Sequence, residues 1–214
     1  MEIFADPITV NCRKVFAGLK MMGVNYQHHH VDYFTGQQKS PEFTAINPNQ
    51  ALPALRDGDF VLWESNAMLQ YIADKHDKTE FYPRDTVARS DLNRWLFWEA
   101  AHWFPSAYVY LVENCVKPVL GDEADPTVLA GERERFDRLA GILNDRLSDR
   151  PYIMGDSVTI ADIAVAAPMH LHRWQQLPLD GYSNVRAWIT ERIEPQPFWK
   201  ATHVAEGFKF EPQA

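Results

Sequence analysis

The stretch "QALPALRDGDFVLWESNAMLQYIADKH", residues 50–76, contains the signals that decide the fold. Two short apolar runs flank the polar turn "DGD", a pattern that predicts an antiparallel hairpin. Pro53 stands where the first strand should begin, a position that tolerates a residue without a backbone N–H. After the second strand, Met68, Leu69 and Ile72 recur at helical spacing. The stretch therefore predicts a hairpin followed by a helix with one buried face.

Signals on the N-terminal side extend this unit. The segment "EIFADP", residues 2–7, predicts a short strand, and "NCRKVFAGLKMMG", residues 11–23, predicts a helix that ends at Gly23. The segment "VNYQHHHVDY", residues 24–33, is expected to be extended. The order strand, helix, strand, hairpin and helix predicts an α/β domain over residues 1–77.

The pattern changes after this domain. Charged residues and Pro83 interrupt it over residues 77–85, which predicts a linker. The segment "VARSDLNRWLFWEAAHWF", residues 87–104, predicts a long amphipathic helix that Pro105 should kink. Further helical patterns follow along the rest of the chain. We therefore expect a second, all-helical domain over residues 86–214, so that the fold class is α/β followed by all-α.

A helix start within "DSVTIADI", residues 156–163, has the spacing of a capping box. Thr159 would cap the helix, and Asp162, three residues on, would bond back to it. We interpret this pair as structural and assign it no catalytic role.

Composition excludes several classes of function. The 214 residues have a formal net charge of −8 and no basic run, which argues against nucleic acid or an anionic membrane as the main partner. Cys12 and Cys115 form no Cys-x-x-Cys pair, so no dithiol centre or zinc knuckle is expected. The histidines of "HHH", residues 28–30, alternate sides on a strand, and we predict no metal site. With no signal peptide or long apolar run visible, a cytoplasmic location is expected.

Glu64 and Ser65 lie where the second hairpin strand meets the following helix. Ser65 is a good N-cap, and free amides at a helix start bind a carboxylate, while Glu64 could hold an ammonium group. An amino acid carries both groups. A simple cap beside a solvated glutamate is the alternative.

The Leu52–Pro53 bond also has two interpretations. A cis bond would turn the Leu52 backbone outward toward a ligand's peptide group, whereas a plain trans proline at a sheet edge would not.

Together these motifs resemble the glutathione transferase family over essentially the whole chain. The resemblance rests on "NCRKVFAGL", "SPEFTAINPNQALPAL", "ESNAMLQYIADKH" and "DSVTIADI". It implies a thioredoxin-like N-terminal domain, an all-helical C-terminal domain and glutathione as co-substrate, with no metal. A cytoplasmic homodimer with detoxification activity is also implied.

The resemblance further implies roles for six residues in binding glutathione. Pro53 would be the cis-proline, Leu52 would hold the cysteinyl backbone, and Glu64 with Ser65 would hold the γ-glutamyl end. Lys39 matches a position that contacts the glycyl carboxylate. The family's usual Gly-Lys-Val-Pro or Gly-Gln-Val-Pro reads Gln-Ala-Leu-Pro here, so position 51 lacks a polar side chain and Gln50 would substitute for it.

Thr9 and Asn11 are the expected catalytic residues. Their arrangement resembles bacterial members of the Nu class, with theta- and phi-like features, and no tyrosine lies near. A threonine hydroxyl, an asparagine amide and a helix N-terminus would all favour the thiolate of bound glutathione. Cys12 has two interpretations, a reactive thiol or a small buried residue, and the second is favoured.

The resemblance places the second-substrate pocket on the inner face of the helix near Pro105. His102, Phe104 and Tyr108 are the expected lining residues of this electrophile pocket. The predicted activity is attack of the glutathione thiolate on a small, mostly apolar electrophile. Two alternatives remain open: a glutathione-dependent disulfide reductase of the same fold, and a non-catalytic binding or scaffold protein.

Overall fold

A computed structural model describes residues 1–202, which form two compact units. The first unit comprises Met1–Arg89 together with Pro197–Thr202, and the second comprises Ser90–Gln196. The return of Pro197–Thr202 to the first unit differs from the sequence prediction, which assigned this segment to the helical domain. The predicted domain limits, 1–77 and 86–214, stay a prediction, and residues 203–214 lie outside the described part.

The first unit contains a four-stranded mixed sheet with the strand order β2-β1-β3-β4. The strands are β1 (Glu2–Ala5), β2 (Gln27–His30), β3 (Ala54–Asp57) and β4 (Phe60–Trp63). β1 pairs with β2 in parallel and with β3 antiparallel, and β3 pairs antiparallel with β4. The predicted strands and the hairpin are confirmed, and the arrangement is thioredoxin-like.

Four helices belong to this unit: α1 (Val10–Met22), α2 (Pro41–Thr44), α3 (Ser65–Lys75) and α10 (Pro197–Lys200). Met68, Leu69 and Ile72 are completely buried on α3, as their spacing predicts. α1 ends at Gly23, whose φ of 65° is left-handed and suits glycine. The guanidinium of Arg13 lies 4.2 Å above the Trp199 ring, which joins α1 to α10.

α1 and α3 pack closely, and Gly18 is the reason that they can. A Cβ atom at position 18 would lie 2.2 Å from Cδ2 of Leu69, far inside van der Waals contact. The missing side chain therefore permits the close approach of the two helices.

The remaining described chain is helical. Its α-helices are α4 (Thr86–Trp98), α5 (Phe104–Leu111), α6 (Lys117–Val119), α7 (Pro126–Arg146), α8 (Ile160–Ala166) and α9 (Ser183–Ala187). The turn before Pro105, Glu99–Trp103, widens to a π-helix, an irregularity that the sequence pattern did not predict. In the described residues, no helix is long and apolar enough to cross a membrane.

The predicted capping box is present around the fully buried Asp162. Its Oδ2 accepts from the Thr159 N–H at 2.9 Å and from the Thr159 hydroxyl at 3.0 Å. Its Oδ1 accepts from the Ile153 N–H at 2.9 Å and from Nε1 of Trp188 at 3.1 Å. Burial raises the pKa of Asp162 to about 6, although these four hydrogen bonds oppose the rise. Through these bonds, Asp162 connects the segments that contain Ile153, Thr159 and Trp188.

Candidate functional site

The loop between β1 and α1 is organised by Asp6. Its carboxylate accepts from the Ile8 N–H at 3.1 Å and from the Tyr33 N–H at 2.9 Å. Its carbonyl oxygen accepts from both the N–H of Thr9, at 3.1 Å, and the Thr9 hydroxyl, at 3.2 Å. Thr9 occupies the N-cap position of α1, but its side chain does not cap the helix. In this structure the Thr9 hydroxyl donates to Asp6.

Asn11 and Ser65, 54 residues apart in sequence, are joined directly. The Ser65 hydroxyl donates to Oδ1 of Asn11 at 3.2 Å. Nζ of Lys14 donates to Oγ of Ser65 at 3.1 Å and to Oδ1 of Asn66 at 3.2 Å. The structure thereby brings a predicted catalytic residue together with a predicted glutathione-binding residue, at the adjacent starts of α1 and α3.

The prediction that Ser65 is the N-cap of α3 is wrong by one residue. Glu64 occupies that position with φ 72° and ψ 109°, and Ser65 is the first residue of the helix. The Ser65 hydroxyl bonds to Asn11 and Lys14 on the neighbouring helix instead of capping its own. Glu64 is exposed and its left-handed backbone is a strained conformation for a residue with a side chain. The first amides of α3 still lack intrahelical acceptors, as those of every α-helix do.

The other predicted glutathione residues lie in the same unit. The Leu52–Pro53 bond is cis, and both residues are buried. Gln50 is exposed with a φ of 56°, and its Nε2 donates to Oγ1 of Thr44 at 3.4 Å. Lys39 is exposed at the end of the short 3₁₀ helix Gln37–Lys39. Their contacts with glutathione stay predictions.

Cys12 is completely buried in α1. Burial raises the pKa of its thiol to about 12, and a hydrogen bond with the Thr9 side chain opposes this rise. A thiol with this pKa is protonated at neutral pH and is a poor nucleophile. The geometry therefore favours the interpretation of Cys12 as a small buried residue.

The three predicted pocket residues occupy the second unit. The rings of Phe104 and Tyr108 are stacked with centroids 5.2 Å apart, one helical turn apart on α5. His102 is exposed in the preceding π-helical turn, and its carbonyl oxygen accepts from Nη2 of Arg135 at 3.2 Å. Residues two apart on a helix do not share a face, so His102 is separated from the aromatic pair. Their role as pocket residues stays a prediction.

One feature of this region was not anticipated from the sequence. Lys14 is 2% exposed, whereas lysine in a helix is ordinarily solvated. Its spacing of three residues from Asn11, which places both on one face of α1, is the signal that could have identified it. Within residues 1–202, no group of three or more His, Cys, Asp or Glu could hold a metal ion, and the absence of a metal site at the β2 histidines stays a prediction.

The strand order, the helices on the sheet and the all-helical second unit define a thioredoxin-like domain followed by a helical domain. Two family models match the chain: "Glutathione S-transferase, N-terminal domain" over residues 3–74, and "Glutathione S-transferase, C-terminal domain" over residues 126–191. Glutathione S-transferase 3 of Zea mays is 33% identical over 164 residues, which are 76% of this chain and 73% of the relative. The chain belongs to the glutathione S-transferase family.

Solved structures agree with this assignment. Human glutathione transferase theta-2, in complex with glutathione and an unknown ligand, is 30% identical with a TM-score of 0.81, over 92% of this chain and 82% of that one. The theta-class enzyme of Xanthomonas axonopodis pv. citri, with glutathione bound, is 25% identical with a TM-score of 0.82, over 95% and 97%. The family resemblance and the fold class predicted from the sequence are confirmed. The likeness to the Nu class stays a prediction.

Proposed function

We propose that this protein is a glutathione transferase in which the thiolate of bound glutathione attacks a mostly apolar electrophile. Membership of the glutathione S-transferase family supports the activity. The observation that carries the proposal is the Ser65–Asn11 hydrogen bond, because it connects the expected γ-glutamyl site with the expected sulfur site. The γ-glutamyl end and the cysteinyl sulfur of one extended tripeptide would be held by the adjoining starts of α1 and α3.

In this proposal, the γ-glutamyl end binds at the start of α3. The first backbone N–H groups of the helix donate to the carboxylate, and Glu64, exposed beside them, pairs with the ammonium group. The strained backbone of Glu64 fits a residue kept for binding. The backbone of Leu52, before Pro53, would pair with the cysteinyl residue of glutathione.

The glycyl end would bind next to Lys39 and Gln50. Both side chains are exposed in the first unit, and Lys39 supplies the positive charge that a carboxylate requires. The link between Gln50 and Thr44, at 3.4 Å between polar atoms, is long enough to exchange for a ligand contact.

Activation of the thiol would require one rearrangement in the β1–α1 loop. The Thr9 hydroxyl donates to Asp6 in the structure, so it must turn away from that carbonyl to donate to a thiolate. Asn11 needs no such change, because its Oδ1 bonds to Ser65 and its Nδ2 is the opposite, donating end of the amide. Both donors and the start of α1 would lower the pKa of bound glutathione.

The remaining parts of the proposal come from the family resemblance. Phe104 and Tyr108, as a stacked pair, and His102 would contact the electrophile. The protein would be a cytoplasmic homodimer near twice the 24.7 kDa chain, with a role in detoxification. Phe97, which is 72% exposed on α4, fits a surface that a second copy covers. Sedimentation at micromolar concentration measures this directly, and a monomer alone would contradict it.

Binding of glutathione is the direct test. Calorimetric titration of the intact protein should give a saturable signal that Glu64→Ala and Ser65→Ala each weaken roughly tenfold or more, because a hydrogen bond to a charged group contributes about 1.5–3 kcal/mol. Both variants should remain folded at the temperature of the titration. Unchanged affinity in both variants would remove the glutathione proposal. No signal at millimolar glutathione would favour a scaffold protein.

A glutathione-dependent disulfide reductase is the second candidate, favoured by the Thr9–Asn11 pair. The buried Cys12, with a pKa of about 12, could not supply a protein thiol to such a reaction, so two glutathione molecules would be needed. Turnover of 2-hydroxyethyl disulfide compared with 1-chloro-2,4-dinitrobenzene separates the two activities.

A further inference from the structure

A buried ammonium group lies beneath the proposed glutathione site. Lys14 follows Asn11 by three residues on α1, and its side chain is 2% exposed. Its Nζ donates to Oγ of Ser65 at 3.1 Å and to Oδ1 of Asn66 at 3.2 Å, both at the start of α3. A charge is costly to bury unless hydrogen bonds compensate it, so these contacts define the position of the ammonium.

The chemistry of the groups gives this chain of bonds a direction. An ammonium can only donate, so Oγ of Ser65 must accept from Lys14. The single hydroxyl proton of Ser65 then goes to Oδ1 of Asn11, at 3.2 Å. With its oxygen held by Ser65, Asn11 is left with the Nδ2 end of its amide for another acceptor. One buried charge therefore sets the orientation of two side chains that we place in the site.

We propose that Lys14 is a positioning residue of the glutathione site. It acts through Ser65, orienting the hydroxyl at the γ-glutamyl end and, one bond further, the Asn11 amide at the sulfur end. This inference rests on the proposed function, because it assumes that glutathione occupies the starts of α1 and α3. Lys14 itself needs no contact with glutathione.

Lys14→Met tests the role, since it removes the ammonium and keeps an unbranched side chain. Lys20→Met is the matched control, because it makes the same change of charge on the same helix at an exposed position. In calorimetric titrations, Lys14→Met should weaken glutathione binding about tenfold or more. Lys20→Met should leave the affinity within about twofold, since exposed charges are screened. Lys14→Arg, which keeps a buried donor, should recover much of the lost affinity.

A double-mutant cycle shows whether Lys14 acts through Ser65. If it does, Lys14→Met combined with Ser65→Ala binds glutathione no more weakly than Ser65→Ala alone. A further tenfold loss in the double variant would mean that the charge acts on glutathione directly, and this would overturn the positioning role. Affinity unchanged in Lys14→Met would overturn it as well.

Two further controls keep the outcomes distinct. If the parent protein binds no glutathione, the proposed function fails, and this inference fails with it. If Lys14→Met does not fold, the side-chain nitrogen resonance of Lys14 in the parent protein, identified by its absence in Lys14→Arg, provides the measurement. It should shift when glutathione saturates the protein, while the Lys20 resonance does not. An unshifted Lys14 signal would contradict the proposal.

Discussion

The Thr9 hydroxyl donates to the carbonyl oxygen of Asp6 across 3.2 Å. The same carbonyl accepts the Thr9 N–H at 3.1 Å, so the two bonds form one small turn before α1. A hydroxyl rotates at little cost, so it can donate its hydrogen bond to a stronger acceptor when a ligand brings one. A thiolate is such an acceptor, which makes the hydroxyl of Thr9 testable as an activating group.

Thr9→Val should raise the pH at which bound glutathione ionises by roughly one to two units, because a hydrogen bond to a charged acceptor contributes about 1.5–3 kcal/mol. Turnover near neutral pH should fall, and much of it should return at high pH. Thr9→Ser should stay active. The pH–rate profile of the three proteins is the measurement, and a profile of Thr9→Val that matches the parent would exclude the hydroxyl as the activating group.

Cys12→Ala should leave turnover nearly unchanged. The thiol is buried, with a pKa of about 12, and glutathione brings its own sulfur. In the folded parent protein at neutral pH, Cys12 should also resist alkylation by iodoacetamide, which mass spectrometry can follow peptide by peptide. An inactive Cys12→Ala beside an active Thr9→Val would point to a cysteine-dependent enzyme instead.

Thr159→Ala should lower stability without altering turnover per folded molecule. The substitution removes the hydroxyl that donates to Asp162 at 3.0 Å, and loss of a capping side chain costs about 0.5–2 kcal/mol. Urea denaturation and steady-state kinetics on the same preparation measure both quantities. A fall in turnover at unchanged stability would show that this capping box has a functional role.

As the pH rises from about 4 to about 6, the free energy of unfolding should decrease because Asp162 loses its proton. Its pKa rises from 3.8 to about 6 on folding, so the folded state binds the proton more tightly. The stabilisation by this proton is complete below the pKa of Asp162 in the unfolded state, and it is lost as the pH rises through the pKa in the folded state. The urea midpoint measured against pH should show it. In Asp162→Asn, which has no proton to bind, the corresponding part of the slope should vanish, and an identical slope would refute the assignment.

Local patterns were sufficient for the four strands, α1 and α3 of the first unit. The turn and the apolar spacing in residues 50–76 predict the hairpin and α3 correctly, because these signals depend on near neighbours. The N-cap of α3 was misplaced because the Ser65 hydroxyl is claimed by Asn11 and Lys14, which belong to another helix. Tertiary contacts outweighed a local preference at this position.

The same limit explains what the sequence could not indicate. In the sequence, Lys14 has the pattern of a surface residue, because its hydrogen-bond acceptors belong to α3, which is distant along the chain. The segment Pro197–Lys200 has a helical pattern, but nothing within it shows that it packs on α1 of the first unit. The stacked pair of Phe104 and Tyr108 follows from helical spacing, whereas the π-helical turn before it has no pattern of its own.

Gly18 has a consequence for how this protein can vary. The proposed site is divided between α1 and α3, and the gap between these helices is set where Gly18 meets Leu69. Any heavier residue at position 18 must displace the buried Leu69 side chain or push the helices apart, and the second change lengthens the path from Lys14 to Ser65 without touching either. A chimera with a homologue would therefore need to take α1 and α3 from the same parent protein, because the two helices have complementary packing surfaces.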